Sequence, residues 1–336
     1  MKILVIRFSS IGDIVLTTPV VRCLKKEFPE SEIHFLTKRV YKSIVKENPY
    51  IDQFYYLRKS LSETITDLRR NEYDYIIDLH HNLRSTFVKR MLKGKSYSFH
   101  KLNIEKWLYV NFKINKLPMI HIVERYFDTV RHLGVRDDGE GLDFFIPGED
   151  EIRKEDLPET HRNGYIAFVI GAKHKTKKLP TFKISAICEG LKQPIVLLGD
   201  KSEKRKGQMV EMGVGENVYN ACDKYNLNQS ASILKGADLV ITHDTGLMHI
   251  AAALKKKIIS IWGNTVPLFG MTPFYGYKHE EVQSRIVQKK GLKCRPCSKI
   301  GKHRCPKEHF NCMHMIADDK IVRLANELLT PDLRSV

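Results

Sequence analysis

The sequence predicts an α/β protein built from two successive doubly wound halves, each a Rossmann-like parallel sheet covered by helices. Three observations predict it. Short apolar runs alternate with helical patterns from the first residues to Leu79. The same alternation restarts at GYIAFVIGA (164–172), after an acidic, loop-like stretch. At 336 residues the chain is long for one core and suits two.

MKILVI at the start reads as a buried strand. The turn Ser9-Ser10-Ile11-Gly12-Asp13 leads from it to a helix over about Val15 to Phe28. EIHFLT (32–37) is a second strand, with a helix near 39–47. QFYYL (53–57) is a third, followed by a helix over SETITDLRRN. YDYIIDL (73–79) is a fourth, followed by a lysine-rich helix near 82–93, and a further helix spans about 121–133. Residues 137–163, acidic and carrying Pro147, Gly148 and Pro158, read as the linker. The second half places strands at 164–172, PIVLLGD (194–200), NVYNACD (217–223), ADLVITHD (237–244) and KIISIWG (257–263). Helices fall between them near 181–191, 202–212, 227–235 and 246–254. A last helical pattern, 317–329, is expected to return to the first half. The expected division is therefore 1–157, 158–315 and a C-terminal helix within 316–336. Ligands of such sheets lie at the carboxyl ends of the strands, so two halves facing each other bind across an interdomain cleft.

The formal net charge of +17 favours an anionic partner: nucleic acid, an anionic membrane face or a phosphorylated substrate. No apolar run approaches the ~18 residues of a membrane span. Lys2 is followed by only four apolar residues before Arg7, which is not a signal-peptide pattern, and a cytoplasmic protein is expected. Between Arg84 and Lys116, basic residues are interleaved with Phe87, Tyr97, Phe99, Trp107, Tyr109 and Phe112. This segment is either a solvated face or an amphipathic, membrane-proximal surface.

Four stretches carry candidate chemistry. The first strand-to-helix turn lacks the G-x-G-x-x-G of a dinucleotide site and offers one glycine followed by Asp13, a carboxylate that would repel a pyrophosphate. In DLVITHDTGLMHIAAAL (238–254), Thr245 and Gly246 start a helix after a strand, where free amides and the helix dipole favour an anion. His249 lies one turn further on; the alternative is that Asp244 or Thr245 only caps the helix. VIGAKHKTKKLP (169–180) places Lys173, Lys175, Lys177 and Lys178 after a strand, placed to pair with a diphosphate or merely solvated. DLHHNLRS (78–85) ends another strand with His80, His81, Asn82 and Arg84; Arg84 would suit a phosphate or carboxylate, or the stretch is ordinary loop capping.

Cys294, Cys297, Cys305 and Cys312 follow C-x2-C-x7-C-x6-C, a spacing open to structural zinc or to reduced structural thiols. Cys23, Cys188 and Cys222 read as small buried apolar groups.

SSIGD, KKLP, DTGLMHIAAAL, GNTVPLFGMTPF and the cysteine-rich CRPCSKIGKHRCPKEHFNCM together resemble the bacterial lipopolysaccharide heptosyltransferases, glycosyltransferase family nine. The resemblance runs from Met1 to about Met315. It implies the GT-B fold and inverting, metal-independent transfer without a cofactor. It also implies ADP-L-glycero-D-manno-heptose as donor and the lipid-linked, anionic inner core of lipopolysaccharide as acceptor. It would make the membrane near the basic, aromatic segment the inner one, in peripheral contact at its cytoplasmic face. By position, Asp13 matches the catalytic base, Lys177 the lysine on the donor diphosphate and sugar, and Asp244 the aspartate near the donor sugar. Thr245, Gly246 and His249 match the phosphate-binding residues, and Glu203 is the candidate for the ribose. His80, Asn82 and Arg84 are expected on the acceptor side. Ala172 and Lys173 stand where some members carry threonines. The base also answers the question posed by Asp13: inverting transfer needs a group that deprotonates the acceptor hydroxyl opposite the leaving diphosphate. Three alternatives stand beside this reading. They are the same fold with another nucleotide sugar, a non-catalytic sugar-nucleotide or polyanion-binding protein, and a nucleic-acid-binding protein with a zinc module at 294–312. The leading reading takes no nucleic acid as partner.

Overall fold

The computed structural model describes residues 1–330. The chain divides into two compact units. One comprises Met1–Asn103, Pro118–Phe145 and Phe274–His279; the other comprises Ile104–Leu117, Ile146–Pro273 and the residues from Glu280 onward. The main boundary therefore falls at 145/146, upstream of the expected 157/158, and both units are discontinuous in sequence.

In the first unit the order is β1 (Lys2–Ile6), α1 (Ile11–Val15), α2 (Thr18–Glu27), β2 (Glu32–Lys38), α3 (Lys42–Val45), β3 (Gln53–Leu57), α4 (Leu61–Arg69), β4 (Tyr75–Asp78), α5 (Leu83–Met91) and β5 (Lys95–Ser98). After α6 (Asn103–Phe112), α7 (Ile122–Phe127) completes it. The five strands are parallel in the order β3-β2-β1-β4-β5. β1 is central: Val5 lies opposite Phe35 on one side and Ile77 on the other, and all three are buried. That is why MKILVI is apolar on both faces.

The first helix begins at Ile11, not near Val15 as expected, so Asp13 sits in its first turn. The Asp13 carboxylate accepts from the Ser10 N–H (3.1 Å) and hydroxyl (2.7 Å), which starts the helix early. The helix then breaks, because Pro19 has no N–H for the Val15 carbonyl. The Thr18 hydroxyl donates to that carbonyl instead, at 2.7 Å.

The second unit runs β6 (Ile166–Val169), α8 (Thr181–Gly190), β7 (Ile195–Leu198), α9 (Lys204–Val214), β8 (Val218–Asn220), α10 (Leu227–Gly236), β9 (Leu239–His243), α11 (Gly246–Ala253), β10 (Ile258–Trp262), β11 (Ser284–Gln288), α12 (Asn311–His314) and α13 (Asp318–Leu329). Its six strands are parallel in the order β11-β10-β9-β6-β7-β8.

The C-terminal helix does not return to the first unit, contrary to expectation. Ile321, Ala325 and Leu328 of α13 are buried in the second unit's own core, with Ile184 and Ile187 of α8. Lys183 of α8 pins its start, donating to the Ile316 carbonyl (2.8 Å) and to Asp318 (2.9 Å). Residues 331–336 of the expected C-terminal segment lie outside the described residues. Residues 104–117, expected in the first half, also belong to the second unit. Lys113 donates to the Pro296 carbonyl at 2.7 Å, and Tyr109 meets Phe269 edge-on.

Each sheet has one switch point, where the chain reverses its direction of growth. In the first unit this is the β1/β4 boundary and in the second the β6/β9 boundary. Loops leaving the carboxyl ends of such a pair diverge and leave room for a ligand. Asp13 follows β1 and His80 follows β4; Lys177 follows β6 and Asp244 follows β9. Among the described residues, no helix is long and apolar enough to cross a membrane.

Candidate functional site

Two groups of side chains occupy the two switch points. In the first unit, Arg7 emerges from β1 and is buried. Its Nη2 lies 2.7 Å from Asp13 Oδ1. The same guanidinium donates to the Ser9 carbonyl (2.8 Å), the Tyr126 hydroxyl (2.9 Å) and the Leu79 carbonyl. Burial opposes the Arg7 charge, but Asp13, then Tyr126 and Asp78, hold its pKa above the ordinary value. Asp13 keeps about a fifth of its side chain exposed (21%), so it is oriented without being sealed.

Asp78, at the end of β4 and fully buried, shapes the next loop. Its Oδ1 accepts the N–H groups of His80 (3.0 Å) and His81 (2.7 Å), and its Oδ2 the Ser85 hydroxyl (2.8 Å). His80 packs on Phe8 with ring centroids 4.8 Å apart. Burial, then Arg7 and Lys101, push its pKa down to about 3, so it is neutral near pH 7. The Asn82 side chain accepts from Ser85 N–H at 2.9 Å and caps α5, the structural role weighed against an acceptor contact. Arg84 is exposed.

In the second unit, the loop after β6 brings Lys177 to Asp244, with Nζ to Oδ2 at 2.6 Å. The same carboxylate oxygen accepts the Thr265 hydroxyl at 2.8 Å. Thr245 is the N-cap of α11, and its side chain makes no capping hydrogen bond. The first amides of α11, from Gly246 on, are thus not capped by that hydroxyl, as an anion site requires. His249, one turn along, is buried. His243 is also buried; its Nε2 accepts the Leu179 N–H at 3.0 Å, and burial, then Lys206 and Lys178, push its pKa down to about 3. A neutral imidazole thereby fixes the residue that follows Lys177 and Lys178.

Glu203, the ribose candidate, lies buried behind Lys178. It is 2% exposed, and its Oε1 accepts from Lys178 and from the Ser202 hydroxyl (2.8 Å). Its Oε2 is buried without a hydrogen-bond partner. A Cβ at Gly199 would lie 2.8 Å from the Glu203 Cβ, and one at Gly171 3.2 Å from its Oε2. The two strand-end glycines admit Glu203 beneath the loop, where it serves Lys178.

The seven cysteines are free thiols. Cys294 Sγ lies 3.9 Å from His309 Nε2. Among the described residues, the only three metal-ligating groups within 4.8 Å of one another are Cys23, Asp137 and Asp138. Asp138 there already accepts from Arg22 and Lys26. Cys294, Cys297, Cys305 and Cys312 lie close enough to act electrostatically on one another, which with burial raises the Cys297 and Cys312 thiol pKa values, but among the described residues no three of their ligand atoms come within 4.8 Å of one another.

Several partners escaped the sequence reading. Arg7 was readable only as a charge ending an apolar run, and Thr265 lies within GNTVPLFG without any local mark. Lys206 carries no motif of its own.

A family model described as glycosyltransferase family 9 (heptosyltransferase) matches residues 62–303. The chain belongs to glycosyltransferase family 9. The lipopolysaccharide heptosyltransferase 1 of Campylobacter coli is 24% identical over 360 residues, covering 98% of this chain and 99% of the relative. The lipooligosaccharide heptosyltransferase 2 of Haemophilus ducreyi is 24% identical over 364 residues, at 98% and 99% coverage. Among solved structures, a family 9 glycosyl transferase from Veillonella parvula superposes with a TM-score of 0.73 at 21% identity, covering 98% of this chain and 97% of that one. The E. coli heptosyltransferase WaaC with ADP gives 0.69 at 20% identity, with 98% and 100% coverage. The two parallel sheets are those of the GT-B fold of this family. As a glycosyltransferase family 9 member, the chain is a glycosyltransferase.

Proposed function

We propose that this family 9 glycosyltransferase moves a heptose, with inversion, from ADP-L-glycero-D-manno-heptose onto the inner core of lipopolysaccharide. The observation that carries the reading is the Lys177–Asp244 pair at the β6/β9 switch point, beside the start of α11. Lys177 and the amides of α11 meet the charge of the diphosphate, Thr245, Gly246 and His249 line that anion site, and Asp244 faces the sugar. The relative solved with ADP supports the nucleotide, and the names of the full-length relatives support sugar and acceptor.

Asp13 is the general base. It takes the proton of the acceptor hydroxyl as that oxygen attacks the anomeric carbon, and the bond to the diphosphate breaks on the opposite face. Arg7 and Ser10 hold the carboxylate in a single orientation. His80 and Arg84 serve the acceptor, Arg84 as an exposed cation for its anionic groups, with Asn82 holding the loop. Charge on the leaving group is met by Lys177 and helix amides, so transfer proceeds without a metal. The acceptor is lipid-linked, and the protein works at the cytoplasmic face of the inner membrane through its basic, aromatic segment. There α5 exposes Leu83, Phe87 and Met91, one turn apart, beside Arg84 and Arg90.

A donor screen tests this. ADP-heptose should raise the melting temperature and support transfer, in EDTA as in its absence, while UDP-, GDP- and CMP-sugars should not. Stabilisation by one of those sugars and not by ADP-heptose would replace the donor.

A further inference from the structure

We propose that Arg295 is a positioning residue for the donor site, acting through Thr265 on Asp244 and Lys177. The inference rests on the reading of Lys177 and α11 as the diphosphate site.

Arg295 lies in the Cys-Arg-Pro-Cys stretch, more than thirty residues beyond β10 and outside the switch-point loops. A guanidinium has five N–H donors, and here each has an acceptor. Nε donates to the Gly263 carbonyl, and Nη1 to Gln288 Oε1 (2.7 Å) and the Lys289 carbonyl (3.2 Å). Nη2 donates to the carbonyls of Trp262 (3.3 Å) and Thr265 (2.8 Å). None of these acceptors is a carboxylate, and burial lowers the Arg295 pKa below its ordinary value. The charge is met by neutral dipoles: three carbonyls at the end of β10, and Gln288 and Lys289 at the end of β11.

The carbonyls of Trp262, Gly263 and Thr265 lie at the end of β10 and in the turn after it, which carries Thr265. The buried Thr265 hydroxyl donates to the same Asp244 oxygen that Lys177 approaches. The path from Arg295 to Lys177 is therefore two side chains and one backbone carbonyl, each contact within hydrogen-bond distance. The turn also holds Asn264 at 1% exposure with both amide atoms lacking a hydrogen-bond partner. A loosely held turn would rotate that amide toward water, since an unsatisfied buried amide is costly. The turn is held against this by Arg295, and the placement of Thr265 follows.

The test uses the full-length protein and ADP as the probe, with Arg295→Lys, Thr265→Val, Thr265→Ser and Lys177→Ala measured side by side. Lysine keeps the charge and stem but cannot span five acceptors. Arg295→Lys should weaken ADP binding about tenfold by calorimetry, as loss of a buried hydrogen-bonded restraint does, and raise KM for the donor more than it lowers kcat. Thr265→Val should give a similar loss, Thr265→Ser should restore affinity, and the double variant Arg295→Lys/Thr265→Val should be no worse than the weaker single. ADP affinity unchanged in Arg295→Lys, or full additivity with Thr265→Val, overturns the inference. If Arg295→Lys does not fold, Gln288→Met removes one acceptor only. It should weaken ADP severalfold, and unchanged affinity there overturns the inference equally. Lys177→Ala separates the two claims: if it too leaves ADP affinity unchanged, the donor-site reading itself has failed.

Discussion

Asp13 and Arg7 form an ion pair at the β1/β4 switch point, with Nη2 and Oδ1 2.7 Å apart and the arginine buried. The pair fixes the carboxylate while leaving part of it open to solvent. Asp13→Asn should fold and bind donor as the parent does. With the proposed base removed, its transfer rate should fall by about 10²–10⁴, or roughly 3–5 kcal/mol of barrier. Transfer within a few-fold of the parent at saturating substrates would move the base elsewhere.

In the proposed donor site, Lys177→Ala removes a charge-assisted contact to the diphosphate. It should weaken donor binding by about 1.5–3 kcal/mol, read by calorimetry with ADP-heptose. Asp244 then loses its ion-pair partner and keeps the Thr265 hydrogen bond. Unaltered affinity would remove Lys177 from the donor site.

His243 makes stability pH-dependent in a stated direction. Its folded pKa is pushed down to about 3, against about 6.5 when unfolded. Below pH 6.5 the unfolded chain therefore binds more protons. Stability from this group should fall by about 1.4 kcal/mol per pH unit as the pH is lowered towards 3, and be unaffected above 6.5. His80 acts in the same direction. In urea melts at several pH values, His243→Gln should show an acid slope smaller by about one proton. An unchanged slope would mean that His243 takes up its proton without unfolding.

Leu328 and Ile321 of α13 are buried in the second unit's core. Leu328→Ala should destabilise by about 2–5 kcal/mol, measured by chemical denaturation. A loss under 0.5 kcal/mol would show that α13 does not contribute to that core in solution.

The exposed stripe Leu83, Phe87 and Met91 beside Arg84 and Arg90 should bind anionic vesicles at low salt and release them as salt rises. Phe87→Ser and Arg90→Glu should each reduce co-sedimentation severalfold. Neither residue enters the transfer chemistry, so turnover on a delipidated acceptor should hold. Binding indifferent to both changes would place the membrane surface elsewhere.

The alternation of buried strands and amphipathic helices made the two sheets legible, because a parallel sheet covered on both faces imposes near-continuous apolar runs. β5 and β11 were not legible. They are edge strands, and KSYS and SRIVQ need only one protected face. The destination of α13 was not legible either. An amphipathic pattern states that a face is buried, not against what. Asp13, Lys177 and Asp244 could be singled out because each follows a strand within a recognisable stretch, and the structure puts those strands at the switch points; the roles given to the three residues are proposals. Glu203 looked equally well placed, yet its neighbours Gly171 and Gly199 draw it under the loop to Lys178. Arg7, Thr265 and Arg295 act through contacts that only the folded chain brings together.

Thr176 and Lys302 exchange hydrogen bonds across 126 positions of sequence. The Thr176 hydroxyl donates to the Lys302 carbonyl at 2.9 Å and accepts the Lys302 N–H at 2.8 Å, and Gly301 leaves no room for a Cβ beside His174. The lysine loop and the cysteine-rich tract are thus one inheritable unit. A chimaera meant to import another enzyme's sugar preference by swapping residues 171–180 alone would carry a loop cut for a different backing. The exchange has to include 294–302, and drift in one segment constrains which substitutions the other can accept.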